Sequence, residues 1–281
     1  MTYRSILTIV DGSPPTLRAA RTAADLAARF EARLTGVFPK PPVPASAWTE
    51  PVYWGMPPGV PPPIPPEIVE AHERRTEARS EEARLAFEAT AEGAGCATDW
   101  LTTPADSGAA VVDLTRRTDL TVLSRGRLPT VGAGVSAADL ALGSGGPTLL
   151  TPEHGVDTAP GRRILVAWNG GREAARAVRD AWPFLTLAET VHVVVISPAD
   201  ADGPDSRLQR YFEEHGCKAE VVVVRKEDAA AATVLLDQVK ALRSDLVVMG
   251  LYGHSRLRQT VLGGVSRSLL RDCTVPMFVS H

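Results

Sequence analysis

One pattern of apolar strands, polar turns and charged helices is written twice along this chain, and a duplicated unit limits the fold before any single residue is weighed. Ser5–Val10 and Arg163–Trp168 are matching apolar runs. Each leads into a polar turn, Asp11-Gly12-Ser13 or Asn169-Gly170-Gly171, and then into an Ala/Arg-rich helical stretch. Gly95-Cys96 and Gly216-Cys217 each open a strand after a charged helix. Asp119–Leu123 matches Asp245–Met249, Gly134-Val135-Ser136 matches Gly264-Val265-Ser266, and Pro147–Thr151 matches Pro276–Ser280. The first strands are 158 residues apart (164 − 6), the Gly-Cys pairs only 121 (216 − 95), and the Asp-Leu pairs 126 (245 − 119). That drop places an insertion in the first copy. Composition finds it independently, because residues 39–66 are crowded with proline.

Each copy reads as five strands alternating with helices. Val191–Ile196 and Val221–Val224 are β-branched runs too continuous for a half-exposed antiparallel sheet, and they suit parallel strands covered on both faces. The second copy is expected to place strands near 162–168, 190–197, 217–224, 245–250 and 275–280, with helices near 171–184, 204–215, 228–243 and 265–272. Such alternation implies right-handed crossovers and an α/β fold of two tandem, doubly wound, five-stranded parallel sheets. The turn-rich stretch Pro152–Gly161 divides the chain into expected domains at 1–152 and 162–281.

The most informative local stretch is Gly250–Ser266, which follows the apolar run ending at Met249 and opens the next helix. Glycine lets backbone approach a ligand, and a helix N-terminus offers unpaired N–H groups to an anion. With strand order 3-2-1-4-5, the ligand crevice lies between the first and fourth strands, where the Asn169 turn and the Gly250 loop meet. Expected roles follow from chemistry. Asn169 bonds ribose hydroxyls or an adenine edge, and Ile196 and Ser197 offer main-chain groups to the base. Gly250, Gly253, Gly263, Gly264, Val265 and Ser266 cradle phosphates, with His254, Arg256 and Arg258 to neutralise them. The alternative is that these glycines merely shape a long loop and the arginines are solvated.

Bulk properties exclude several classes. A net charge of −3 gives no basic field for nucleic acid or an anionic membrane. No apolar run approaches a membrane span, and the N-terminus runs straight into a strand with no leader. Three cysteines without CxxC spacing suggest neither disulfides nor a zinc site, which points to a reducing cytoplasm. Walker-type and nucleophile-elbow motifs are missing, and the six histidines lack metal-ligand spacing. No pair of carboxylates converges near the glycine loop, which argues for binding over Mg²⁺-assisted turnover.

With its duplicated frame and Gly250-x2-Gly253-x9-Gly263 spacing, the chain resembles a tandem universal stress protein across nearly its whole length outside 39–66. The resemblance implies an adenine nucleotide alpha hydrolase-like fold in which domains pair through their last strands, here 147–151 and 275–280, as an internal pseudo-dimer. It also implies binding of ATP or a related adenine nucleotide, with or without Mg²⁺. Two positions depart from the family pattern: Gly264 stands where Ser or Thr follows the third glycine, and Asn169 stands for an Asp. The first copy keeps Asp11 but has Ser124 for the leading glycine and a shorter loop, so it is expected not to bind ATP.

Three functions remain in play. The first is a cytoplasmic stress-response sensor that binds nucleotide through its second domain. The second is a non-binding scaffold, for which bulky Trp168 would fill the adenine pocket and the insert would recruit a protein partner. The third is a slow ATP hydrolase. The insert, with Trp48, Tyr53, Trp54 and Met56, reads either as a flap on its own domain or as a docking surface, and a homodimer is a further possibility.

Overall fold

The computed structural model describes residues 2–44, 64–104, 108–126, 128, 131, 135–156, 158–198, 206–226, 230–251 and 264–281. Most of the proline-rich insert (45–63) and of the second glycine loop (252–263) lies outside them. The first half runs β1 (Ser5–Ile9), α1 (Pro14–Phe30), β2 (Arg33–Pro39), α2 (Pro66–Ala94), β3 (Thr98–Thr103), α3 (Gly108–Thr115), β4 (Leu120–Ser124), α4 (Ala137–Ser144), β5 (Thr148–Thr151). The second runs β6 (Arg163–Trp168), α5 (Arg172–Asp180), α6 (Trp182–Leu185), β7 (Thr190–Pro198), α7 (Ser206–Glu214), β8 (Ala219–Lys226), α8 (Ala231–Ala241), β9 (Leu246–Gly250), α9 (Gly264–Asp272), β10 (Met277–Ser280).

All ten strands join one sheet in the order β3-β2-β1-β4-β5-β10-β9-β6-β7-β8. Each half is parallel with the order 3-2-1-4-5, as its strand–helix alternation requires. The halves meet through β5 and β10, which pair antiparallel with Leu149 opposite Phe278 and Leu150 opposite Met277. The carboxyl ends of the strands therefore point in opposite directions in the two halves.

The matching Asp-Leu pairs have a physical reason. Asp119, at the entry to β4, accepts the N–H groups of Arg4 (2.7 Å) and Ser5 (2.9 Å), which tie the start of β1 to its sheet neighbour. Asp245 does the same at the entry to β9, accepting from Gly161 (3.0 Å), Arg162 (3.1 Å) and Arg163 (3.0 Å). One carboxylate in each half thus satisfies the N–H groups that a strand entry leaves over. The helix expected over 171–184 is broken at Ala181. Pro183 cannot donate to the turn before it, and its ring disfavours a continuous helix, so α5 stops at Asp180 and α6 begins at Trp182.

Both sheet faces are covered. On one, α1, α2, α5, α6 and α7 bury a cluster that includes Ile6, Phe38, Phe87, Ile164, Val166, Phe184 and Phe212. On the other, α3, α4, α8 and α9 cover Leu123, Leu150, Leu165, Val247, Met249 and Met277. The first cluster is continuous across the two halves. The Phe184 ring lies 5.1 Å from Phe30 and 5.8 Å from both Tyr3 and Phe278, and the Tyr3 hydroxyl donates to the Asp180 carbonyl at 2.6 Å. Arg29 donates to the Pro160 carbonyl (3.0 Å), Arg18 to that of Glu153 (2.8 Å), and Arg176 to that of Gly145. Among the described residues no helix is long and apolar enough to cross a membrane.

Phe184 is fully buried at the join, so Phe184→Ala is expected to cost about 3–5 kcal/mol in denaturant unfolding. Because its partners come from both halves, the loss appears in the unfolding of both. A loss below about 1 kcal/mol would mean that the halves do not share this core.

Candidate functional site

In the second half, strand pairing gathers four of the sequence-derived site residues at one end of the sheet. β6 ends with Trp168 opposite Val195, while β7 continues, and Ile196 and Ser197 pair with Val224 and Arg225 of β8 beyond the end of β6. Successive strand residues present their backbone groups to opposite neighbours, so this overhang turns main-chain groups of β7 toward the space above β6. Asn169, exposed, follows directly, and its Oδ1 accepts the Gly171 N–H at 2.9 Å, shaping the turn that starts α5. Gly250 ends β9 on the other side. Gly264, Val265 and Ser266 form the first turn of α9, which must start at this end to return to β10. Gly253, His254, Arg256 and Gly263 lie outside the described residues, as does Arg258.

The two described glycines have different jobs. A Cβ on Gly250 would sit 2.4 Å from the Glu173 carbonyl carbon and 2.6 Å from the Ala174 nitrogen, so α5 rests directly on this residue. Gly250 is a packing requirement of the frame, whatever else its loop does. Among the described residues, a Cβ on Gly264 would meet nothing within 4 Å. No acidic residue stands in the first turn of α9, and Val265 is 37% exposed while Ser266 is 7% exposed. The first N–H groups of α9 have no partner inside the helix, and the dipole favours an anion at this spot.

One residue escaped the sequence reading. Glu173, only 8% exposed, lies against Gly250 with an oxygen 3.4 Å from where a Gly171 Cβ would be. The Arg172 guanidinium, hydrogen-bonded to it at 2.5 Å, holds its carboxyl below the usual glutamate range, with a smaller push from His281. Asn169 removes the expected carboxylate, yet a charged one stands four residues further on. No spacing signal marks it, because its place depends on how closely α5 approaches β9. Trp168, half-buried, packs against the cluster under α5 and α7, on the face shared with Ile164 and Val166.

Among the described residues, the first half narrows the space beside Asp11. Asp11, 7% exposed, accepts the Ser13 N–H (2.9 Å) and the Thr16 hydroxyl (2.7 Å) at the start of α1. Burial alone would raise its carboxyl, but the hydrogen bonds from Ser13 and Thr16 and the charge of Arg79 outweigh that and bring it below the usual aspartate range. Helix α2, dense in Glu and Arg, buries Thr76, Ser80, Ala83, Phe87 and Ala91. It roofs the crevice: Arg79 donates to the Asp11 carbonyl at 3.3 Å, and Arg79, Glu82, Ala83 and Ala86 reduce the space beside Asp11 and Ser13 to about 220 Å³. That is below the roughly 300 Å³ where ligand pockets begin. At the N-terminus of α4 the Asp139 carboxylate accepts the Ser136 N–H (2.9 Å), and the Ser136 hydroxyl accepts the Asp139 N–H (3.2 Å), a complete capping box.

Cysteines add no chemistry here. Cys217 is buried, and burial pushes its thiol up to about 11, so it stays a protonated packing group. Among the described residues no three His, Cys, Asp or Glu side chains are grouped to hold a metal ion.

A family model described as "Universal stress protein family" matches residues 2–130 and 161–281. The chain belongs to the universal stress protein family. A curated universal stress protein of Synechocystis is 26% identical to it over 137 residues, so the match spans 47% of the chain and about half of that relative, 45% of its length. Among solved structures, a universal stress protein from Archaeoglobus fulgidus superposes over 98% of this chain and 97% of its own, with a TM-score of 0.73 at 16% identity. A putative universal stress protein from Pseudomonas aeruginosa covers 99% and 93%, with a TM-score of 0.53 at 15% identity. These likenesses show that the universal stress protein fold spans both halves.

Two substitutions separate frame from site in this universal stress protein. Gly250→Ala is expected to destabilise by about 1–3 kcal/mol in chemical denaturation, because backbone atoms must move to admit the methyl group. A neutral result would contradict the close approach of α5. Asp11→Ala is expected to cost about 1 kcal/mol at neutral pH through loss of the hydrogen bonds that its carboxylate accepts from Ser13 and Thr16. A lowered native pKa means this stabilisation is full above the unfolded-state pKa and fades as pH falls through the native one. The gap between wild type and variant should therefore close in acid, and a gap independent of pH would refute the role of the charged carboxylate as acceptor.

Proposed function

We propose that this universal stress protein binds ATP or a related adenine nucleotide in the crevice between β6 and β9 of its second half, and regulates a stress response through the occupied state. The observation that carries this is the contrast between the halves. In the first, α2 covers the crevice and Asp139 already fills the place of an anion at the α4 N-terminus. In the second, Asn169 and Gly170 are exposed, α9 has no acidic residue in its first turn, and among the described residues nothing stands within 4 Å of a Cβ on Gly264.

The residues fit such a ligand. Gly264, Val265 and Ser266 would hold phosphate oxygens through backbone N–H groups and a hydroxyl, Asn169 would meet the ribose, and the overhang of β7 at Ile196 and Ser197 would face the base. Gly253, His254, Arg256 and Gly263 would complete the cradle by their place in the motif. Glu173 is neutralised by Arg172, so it does not leave a bare negative charge beside the phosphates. The engagement of Trp168 with the α5–α7 face weighs against the scaffold reading, in which that ring fills the base pocket. Binding, without efficient hydrolysis, is the function this equipment supports. The two halves act as domains, 1–152 and 162–281, paired as an internal pseudo-dimer, and the three free thiols suit a reducing cytoplasm.

Nucleotide analysis of the purified, denatured protein tests this: adenine nucleotide is expected in the released fraction, or binding at millimolar concentration. Gly264→Ala has room to fold normally but puts a methyl group beside the anion site, so affinity should fall about tenfold, or 1.4 kcal/mol. The reading fails if nothing is released and nothing binds.

A further inference from the structure

The residue after Ser124 at the end of β4 is Arg125, and the repeat places Leu251 at the same point of the second half. Leu251 is fully buried in the apolar cluster. Arg125 instead crosses between the halves. Its Nη1 donates to the carbonyls of Leu270 (3.1 Å) and Cys273 (2.6 Å), and its Nη2 donates to that of Val275 (3.0 Å). The Leu269 carbonyl lies at the limit of reach, 3.5 Å. These groups are the last turn of α9 and the chain leaving it. The antiparallel pairing of β5 with β10 makes the encounter possible, since it brings the carboxyl end of β4 beside the end of α9 that faces away from the second crevice.

The chemistry at that end is one-sided. The last carbonyls of a helix have no partner within it and carry partial negative charge. A guanidinium offers several fixed donors and a full positive charge to both needs at once. Asp272 sits at the same terminus with its carboxylate bound by Arg271. Helix α9 has few other anchors: of its nine residues only Ser266 and Leu269 are buried. Beside its last turn runs a groove of about 760 Å³, lined by Arg125, Leu150, His154, Leu270 and Cys273 among others, so packing on that side is incomplete.

We propose that Arg125 of the first half is a positioning residue for the nucleotide site of the second, fixing the carboxyl end of the helix whose amino end receives the phosphates. At about 1.5 Å per residue the nine-residue helix is a short stiff rod, so loosening one end displaces the other. The half whose own crevice is roofed thereby takes part in binding at the other. The consequence for affinity rests on the nucleotide reading above, whereas the clamp itself does not.

Hydrogen exchange of the α9 amides without nucleotide, together with ATP titration, tests this on the wild type, Arg125→Met, Arg125→Lys and, as a control, Arg18→Met. Arg125→Met is expected to speed exchange across residues 267–272 at least tenfold and to weaken ATP binding about five- to tenfold. Arg125→Lys keeps the charge without the fork and should show a smaller change in the same direction, which preserves the test if the methionine variant folds poorly. Arg18→Met, which frees the Glu153 carbonyl without touching α9, should alter neither. Unchanged α9 exchange in both Arg125 variants overturns the clamp. Faster exchange with unaltered ATP affinity overturns the positioning role. A wild type that binds no nucleotide sinks the crevice reading itself, and that failure is distinct because it shows before any substitution.

Discussion

The antiparallel pairing of β5 with β10 is the contact on which the remaining architecture depends. Each is a four-residue strand buried along its whole length, and alone each would leave an apolar edge open to any passing chain. Pairing them closes both edges and turns two five-stranded sheets into one of ten. It also brings Phe30, Phe184 and Phe278 together and sets the two crevices at opposite ends of the sheet, so neither can lend loops to the other. What can cross the seam is an interaction at the far end of a helix, and Arg125 makes one.

The two halves have diverged by small local changes on a shared frame. Both keep the aspartate that ties the first strand to the fourth, Asp119 and Asp245. They differ where a ligand would bind. The first half ties Asp11 to Ser13 and Thr16, sets Asp139 at the α4 N-terminus and lays a 29-residue helix beside the opening. The second has the nine-residue α7 in the matching place, an amide at 169 and a glycine at 264 that starts α9.

Much of the fold could be read from the sequence because its signals are local and repeated. Continuous β-branched runs such as Val191–Ile196 mark strands covered on both faces, and the matched offsets expose the duplication and the insert. The break at Pro183 was within reach of proline chemistry but was masked by the helical pattern on either side. The candidate site was legible only in part. Asn169, Ile196, Ser197, Gly250 and Gly264–Ser266 converge because strand order places them there. Glu173 and the roofing role of α2 were not legible. Glu173 matters through the close approach of α5 to Gly250, and α2 buries itself with Thr76, Ser80 and Ala83, small residues that leave a weak apolar stripe. The reach of Arg125 to carbonyls nearly 150 residues away has no sequence signature at all.

The nucleotide site proposed for this universal stress protein is asymmetric: the second crevice would take an adenine nucleotide and the first, narrowed by α2, would not. Calorimetric titration of the intact chain with ATP measures it most directly through the stoichiometry. One nucleotide per chain is the predicted result. Two would show that the roof over Asp11 does not exclude ligand, and none would show that the α9 N-terminus is not a phosphate site.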